Sequence, residues 1–167
     1  MKKKNSVFCL LSLVGLLIIT SCSSSKTGTI NNQQDTGIAQ AIDTGRWTFN
    51  VTMVNPQSGP STLPNGFYTV SYSPQNLNVY LPYIGQAFGG ADVLSQNNPL
   101  GFISKDFEIK KTLTKKGKWT IEFKPRDQKQ VQSLTFTLFN SGSASLNVVM
   151  TNRTPISYTG TVQASIK

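Results

Sequence analysis

The side chain with the most specific chemistry in this sequence is Cys22, at the end of Ile19-Thr20-Ser21-Cys22. Lys2, Lys3 and Lys4 make a basic start, and Val7 to Ile19 form an apolar run interrupted only by Ser12 and Gly15. Such a run falls short of the roughly 20 residues that cross hydrocarbon and fits the core of a secretory leader. Small residues and then a cysteine directly after it resemble the lipobox at which bacterial lipoproteins are cleaved and acylated on sulfur. The expectation is a leader over residues 1–21 and a lipidated Cys22 as the first residue of the mature chain. Cys9 departs with the leader, so no disulfide forms within the domain. Each buried acyl methylene contributes ~0.8 kcal/mol, so two or three acyl chains hold a protein on a membrane.

Catalytic chemistry is sparse in the rest of the chain. Among its 167 residues there is no histidine, which removes His-dependent triads, His general bases and His-ligated metals. The seven acids are Asp35, Asp43, Asp92, Asp106, Glu108, Glu122 and Asp127. Glycoside hydrolysis needs two facing carboxylates. Glu108 and Glu122 flank the turn at Lys116-Gly117, but on the polar faces of their segments beside lysines, where solvated ion pairs are expected. No serine has an activating neighbour, and the Gly-rich stretch lacks the Gly-Lys-Ser/Thr ending of a phosphate loop. The expectation is therefore a non-enzyme with no catalytic residue, metal or cofactor, a hydrolase being the distant alternative.

Charge is lopsided: 16 Lys and Arg give a formal net charge of +9. Lys110, Lys111, Lys115, Lys116 and Lys118, followed by Lys124, Arg126 and Lys129, crowd one hairpin. They are a candidate patch for anionic headgroups or an acidic partner. Lysines also guard sheet edges against unwanted pairing. Nucleic acid is not an expected partner for an exported lipoprotein.

These groups are positioned by segments of period two. Trp47, Phe49, Val51 and Met53 alternate with polar residues as a half-buried strand does, until Asn55 to Pro60 breaks the pattern. Tyr68, Val70 and Tyr72 follow, then Leu77, Val79 and Leu81. Ile103, Phe107, Ile109 and Leu113 read as one face of a fourth strand. Trp119, Ile121 and Phe123, then Leu134, Phe136 and Leu138, then Leu146, Val148 and Met150, and a last run from Ile156 to Ile166 complete the series. Gly117 and Asn140-Ser141-Gly142 supply turns. About eight strands with short polar links make an all-β, antiparallel domain, as a lipocalin-like barrel or a two-sheet sandwich. Its expected span is residues 45–167, after a lipidated, flexible tether over residues 22–44. Ile38, Ala41 and Ile42 sit at helical spacing within that tether, so a short helix fits there despite Gly37.

Leu81-Pro82-Tyr83-Ile84-Gly85-Gln86-Ala87-Phe88 resembles the signature of the lipoprotein family called domain of unknown function 4251. The aromatic first strand, Phe102-Ile103-Ser104, the Trp119 to Phe123 strand and Arg153 to Gly160 are similar to the family as well. The resemblance implies a small all-β envelope lipoprotein and supplies no activity. Pro82 belongs at a strand end, and the long connection from Gly85 to Gly101 is of a length that is functional or loosely ordered. Tyr83, Gly85, Phe88 and Phe102 are the candidate residues for a ligand or partner, lining an apolar pocket or packing as a lid.

The functional expectation is a lipid-anchored envelope protein acting as an interaction or structural module. The alternative is a periplasmic carrier or sensor of a small hydrophobic ligand. No acid precedes Asp35 after Cys22, which favours outer-membrane attachment facing the periplasm over the cell surface.

Overall fold

A computed structural model describes residues 31–88, 98–114 and 117–165. The leader, Cys22, Lys115, Lys116 and the middle of the 85–101 connection lie outside the described residues. The alternating segments are strands: β1 (Trp47–Pro56), β2 (Thr69–Ser73), β3 (Asn76–Tyr80), β4 (Gly101–Ser104), β5 (Phe107–Leu113), β6 (Lys118–Pro125), β7 (Val131–Phe139), β8 (Ser143–Met150) and β9 (Ile156–Ala164). They form one sheet in the order β4-β3-β2-β1-β9-β8-β7-β6-β5, with every neighbouring pair antiparallel. That is a nearly closed up-and-down barrel, and the sandwich alternative falls.

The nine-stranded count corrects the expectation of about eight at one place. Eight antiparallel steps restore the original direction, so the terminal strands β4 and β5 run the same way. They are also consecutive in the chain, separated only by Lys105 and Asp106. The single strand read over residues 103–113 is therefore bent, its first half pairing with β3 and its second with β6. The ring closes through the covalent chain at this corner instead of through a ladder.

The corner also shifts the side-chain phase. Ser104 is fully buried and Phe102 packs on the core, whereas Ile103 is exposed and does not share a face with Phe107. The Asp127 carboxylate holds the bend, accepting hydrogen bonds from Ser104 Oγ (2.6 Å), Lys105 N (2.9 Å) and Asp106 N (3.4 Å). It thereby satisfies backbone donors that a broken ladder would strand. A second phase shift is a β-bulge between Val51 and Met53 in β1. It turns Met53 to solvent and buries Val54, against the simple alternation read from the sequence.

Helix α1 (Asn31–Thr44) starts within the polar stretch that composition assigns to the tether. It contributes Ile38, Ala41 and Ile42 to the core. Its end is a Schellman motif: Gly45, at φ +69°, donates to the Ile42 carbonyl and Arg46 N to the Ala41 carbonyl (2.9 Å). The helix packs on β1 and β9 and reaches β5. There Lys111 Nζ donates to the Ile42 carbonyl (2.8 Å) and Asp43 Oδ1 (2.9 Å), 4.5 Å from the Trp119 ring centroid. A cation on a helix C-terminus is favourable. α1 thus covers the barrel end where β1 begins and β9 finishes.

Desolvation pushes the Asp127 pKa up, and the bonds from Ser104 and from the Lys105, Asp106 and Asp127 amides more than reverse this, leaving it below the usual carboxylate value. A depressed native pKa contributes stability above the unfolded value of about 3.9, lost as pH falls through the native one. Asp127→Asn is expected to cost about 1 kcal/mol in urea unfolding at pH 7, and less than that at pH 2. An equal cost at both pH values would contradict the clamp.

Candidate functional site

The octapeptide leaves the sheet at the end of β3. Leu81 N donates to the Leu100 carbonyl (3.0 Å) and Asn98 Nδ2 to the Leu81 carbonyl (2.7 Å). Buried Tyr158 donates its hydroxyl to the Pro82 carbonyl (2.6 Å). Burial, and secondarily Tyr83, raises the Tyr158 pKa well above the ordinary phenol value, so this donor stays protonated. The segment then lies along residues 152–154: Phe88 N donates to the Asn152 carbonyl (2.7 Å), Thr154 N to the Gln86 carbonyl (3.0 Å) and Gln86 N to Thr154 Oγ1 (3.1 Å). The Tyr83 hydroxyl sits 3.0 Å from both Thr154 O and Thr154 Oγ1. A Cβ on Gly85 would lie 2.4 Å from Tyr83 Oη and from Thr154 Oγ1, so glycine is a packing requirement there.

The structure does not gather the four candidate residues into one pocket. Gly85 serves the loop. Tyr83 is half-buried and borders a groove described below, Phe88 is exposed, and Phe102 lies on the inner face opposite Val79 beside a smaller groove of about 360 Å³ near Gln128 to Val131. The barrel interior is occupied by side chains. Trp47, Phe49, Phe123, Phe136 and Tyr158 are fully buried. Ring centroids lie 5.0 Å apart for Trp47 and Phe136, 5.8 Å for Phe123 and Phe136, and 4.9 Å for Tyr72 and Phe123.

The concavity with the most distinctive chemistry is outside, at the end opposite α1. It occupies about 690 Å³ between the 62–68 loop, the end of β3, the octapeptide, Asn98-Pro99 and Arg153. Val54, Leu63, Pro64, Tyr68, Tyr80, Pro82, Tyr83, Ile84 and Pro99 give it apolar walls, with no carboxylate among the described lining residues. The Tyr68 and Tyr80 rings lie 5.4 Å apart, inclined by 31°. The Arg153 guanidinium lies 5.4 Å from the Tyr83 ring centroid, and Tyr68 donates to Asn65 Oδ1 (2.8 Å). Around the groove Phe67 is 98% and Leu63 78% exposed. Sequence reasoning found Tyr83 and missed Leu63, which sits in an aperiodic loop, and Tyr80, on the solvent face of a strand.

Among the described residues of the basic cluster, the side chains have different partners. Lys110 stands opposite Glu122, and Glu108 opposite Lys124, so neither glutamate faces the other. Lys111 turns inward to α1, and Lys118 is half-buried opposite Phe139. Arg126 pairs with Glu108 and with Asp106. Its hydrogen bond and charge hold the Glu108 carboxyl below the usual range. Among the described residues no three His, Cys, Asp or Glu side chains cluster as metal ligands.

One substitution should act with opposite signs at two glycines. Gly85→Ala is expected to lower stability by about 1–3 kcal/mol through overpacking. Gly37→Ala, in α1 with open space around it, should raise stability by up to about 1 kcal/mol. Thermal unfolding of the two variants checks both.

The family model described as Domain of unknown function (DUF4251) matches residues 30–162. No curated protein sequence matches this chain. The fold is similar to the crystal structure of a DUF4251 family protein from Bacteroides eggerthii, with a TM-score of 0.57 and 15% sequence identity over 79% of this chain and 88% of that one. Signature loop, barrel and matched span agree: this chain belongs to the DUF4251 family.

Proposed function

We propose that this protein is a lipid-anchored component of the cell envelope, attached through Cys22 to the periplasmic face of the outer membrane, whose barrel is a non-enzymatic interaction module. The observation that carries the reading is the exposed aromatic and aliphatic end of the barrel, on the side away from α1. Interface centres are enriched in Tyr, Phe and Arg and depleted of Lys, Asp and Glu, and a contiguous apolar patch on a protein surface marks a contact site. The groove and its margin have that composition. The anchor enters through α1, so the apolar end points away from the lipid and is accessible to other envelope molecules. An interior filled by aromatic rings supports this reading over that of a hydrophobic-ligand carrier.

Two measurements test it. Cys22→Ala should move the protein from the membrane to the soluble fraction without changing its melting temperature; continued membrane association would refute the anchor. A photo-crosslinking residue at Phe67 or Tyr80 should capture a defined envelope partner in intact cells, and one at exposed Thr112 on β5 should not. Equal capture from all three positions would refute the assignment of this end.

A further inference from the structure

We propose that β5 is the contact edge of a homodimer, in which the β5 strands of two copies of this chain pair antiparallel across a two-fold axis at Ile109. The inference uses neither the groove nor the function proposed for it. At the seam β5 has a ladder on one side alone, with β6. Thr114 N donates to the Lys118 carbonyl (2.9 Å) and Arg126 N to the Asp106 carbonyl (2.8 Å), so the even-numbered residues of β5 direct their main chain at β6. Phe107, Ile109, Lys111 and Leu113 therefore turn their N–H and C=O groups to the other side, where no main-chain hydrogen bond reaches them among the described residues. The strand is accessible, every residue from Glu108 to Leu113 being exposed. Ile109 and Leu113 remain 43% and 53% exposed although they stand opposite buried Phe123 and Trp119, on the face that elsewhere is core. An edge of this kind is a template for another strand.

Charge selects the second copy and its register. Hydrogen bonding requires that outward residues face outward residues, and for a strand of 7 residues this leaves about three antiparallel registers with a useful overlap. One puts Lys110 opposite Lys110 of the second copy and another puts Lys111 opposite Lys111; directly opposed like charges are destabilising. The remaining register is centred on Ile109. It sets Ile109 against Ile109, Phe107 against Lys111, and Glu108 against Lys110 on both sides of the axis, with about six main-chain hydrogen bonds. Lys110 has no ion pair among the described residues, and Arg126 engages Oε1 of Glu108, leaving Oε2 for the second copy. Lys111 is drawn aside to α1. Lysines on an edge oppose indiscriminate pairing; here they exclude the wrong registers and leave this one open.

One short strand from each copy is little beside the roughly 20–30 residues a side of a stable interface, so the association is reversible and is read by trapping. Facing residues of a hydrogen-bonded pair have Cα atoms about 5.5 Å apart, within disulfide reach. A single cysteine therefore links to its own counterpart only where the two-fold axis passes. In purified full chain in detergent micelles, mild oxidation of Ile109→Cys should give a linked dimer above the level of the unsubstituted chain. Lys110→Cys and Lys111→Cys, at the centres of the excluded registers, should give about tenfold less. With Ile109→Cys present in both, Lys110→Glu and Glu108→Lys should each reduce the link about tenfold when alone and restore it when mixed, because only the mixed pair opposes unlike charges. Sedimentation at high protein concentration gives a reading without a cysteine: a reversible dimer for the unsubstituted chain and a monomer for Lys110→Glu, at the same melting temperature. Monomer at every concentration, preferential linking at Lys110 or Lys111, or indifference to the charge exchange would overturn the proposal. In intact cells a photo-crosslinking residue at Thr112 should yield an adduct of twice the chain's mass; another protein alone would overturn the dimer, whereas capture at Phe67 or Tyr80 bears on the groove.

Discussion

Aromatic rings from opposite walls meet in the middle of the barrel and set its diameter. Trp47 on β1 and Tyr72 on β2 reach across to Phe123 on β6 and Phe136 on β7, with centroids 6.2 Å apart for Trp47 and Phe123, and 5.7 Å for Phe49 and Phe136. In the sheet order these strands lie three to five positions apart. The contacts are tilted or edge-on, the arrangement aromatic pairs favour. Tied across its centre, the sheet tolerates a seam where β4 and β5 form no ladder. Even the backbone yields to these rings: a Cβ on Gly160 of β9 would lie 2.0 Å from the Asn50 carbonyl and 2.8 Å from the Phe49 ring. A side chain there would push β9 away from β1 at the junction of the first and last strands.

Filling the centre has a consequence for where binding can occur. Lipocalin-like barrels hold ligands when their interior residues are small enough to leave a cavity; here ring contacts occupy that space. The walls offer little more. On the β5–β6 face both glutamates are held in ion pairs, Glu122 by Lys124 and Glu108 by Arg126. The exposed apolar side chains Leu63, Phe67 and Tyr80 lie at the end opposite α1.

Much of this barrel was legible as period two, because each strand has one wet and one buried face. What escaped were the places where the period changes phase. The bulge after Val51 exchanges Met53 for Val54, and the corner at Lys105-Asp106 separates Ile103 from Phe107. Both are set by partners distant in sequence, β9 in one case and Asp127 in the other, which no local pattern reveals. The signature octapeptide was legible through its resemblance, yet its residues divide by role. Gly85 and the Tyr83 hydroxyl are committed to Thr154 across a gap of some seventy residues, and only the Tyr83 ring contributes to a surface. Leu63 and Phe67 gave no signal, since an exposed apolar residue in a loop has neither period nor partner to announce it.

The separation of roles along the barrel axis follows from how each end is built. At one end α1 is sealed in place by a Schellman turn, three buried apolar side chains and Lys111, which join it to the barrel. At the other end the loops are cross-braced beneath their exposed side chains by Tyr158 on Pro82, Asn98 on Leu81, and residues 86–88 on 152–154. The braces use backbone and buried atoms; Leu63, Phe67 and Tyr80 use none of them. Substitution at those three positions therefore leaves the braces intact, whereas Gly85 and Gly160 have no such freedom.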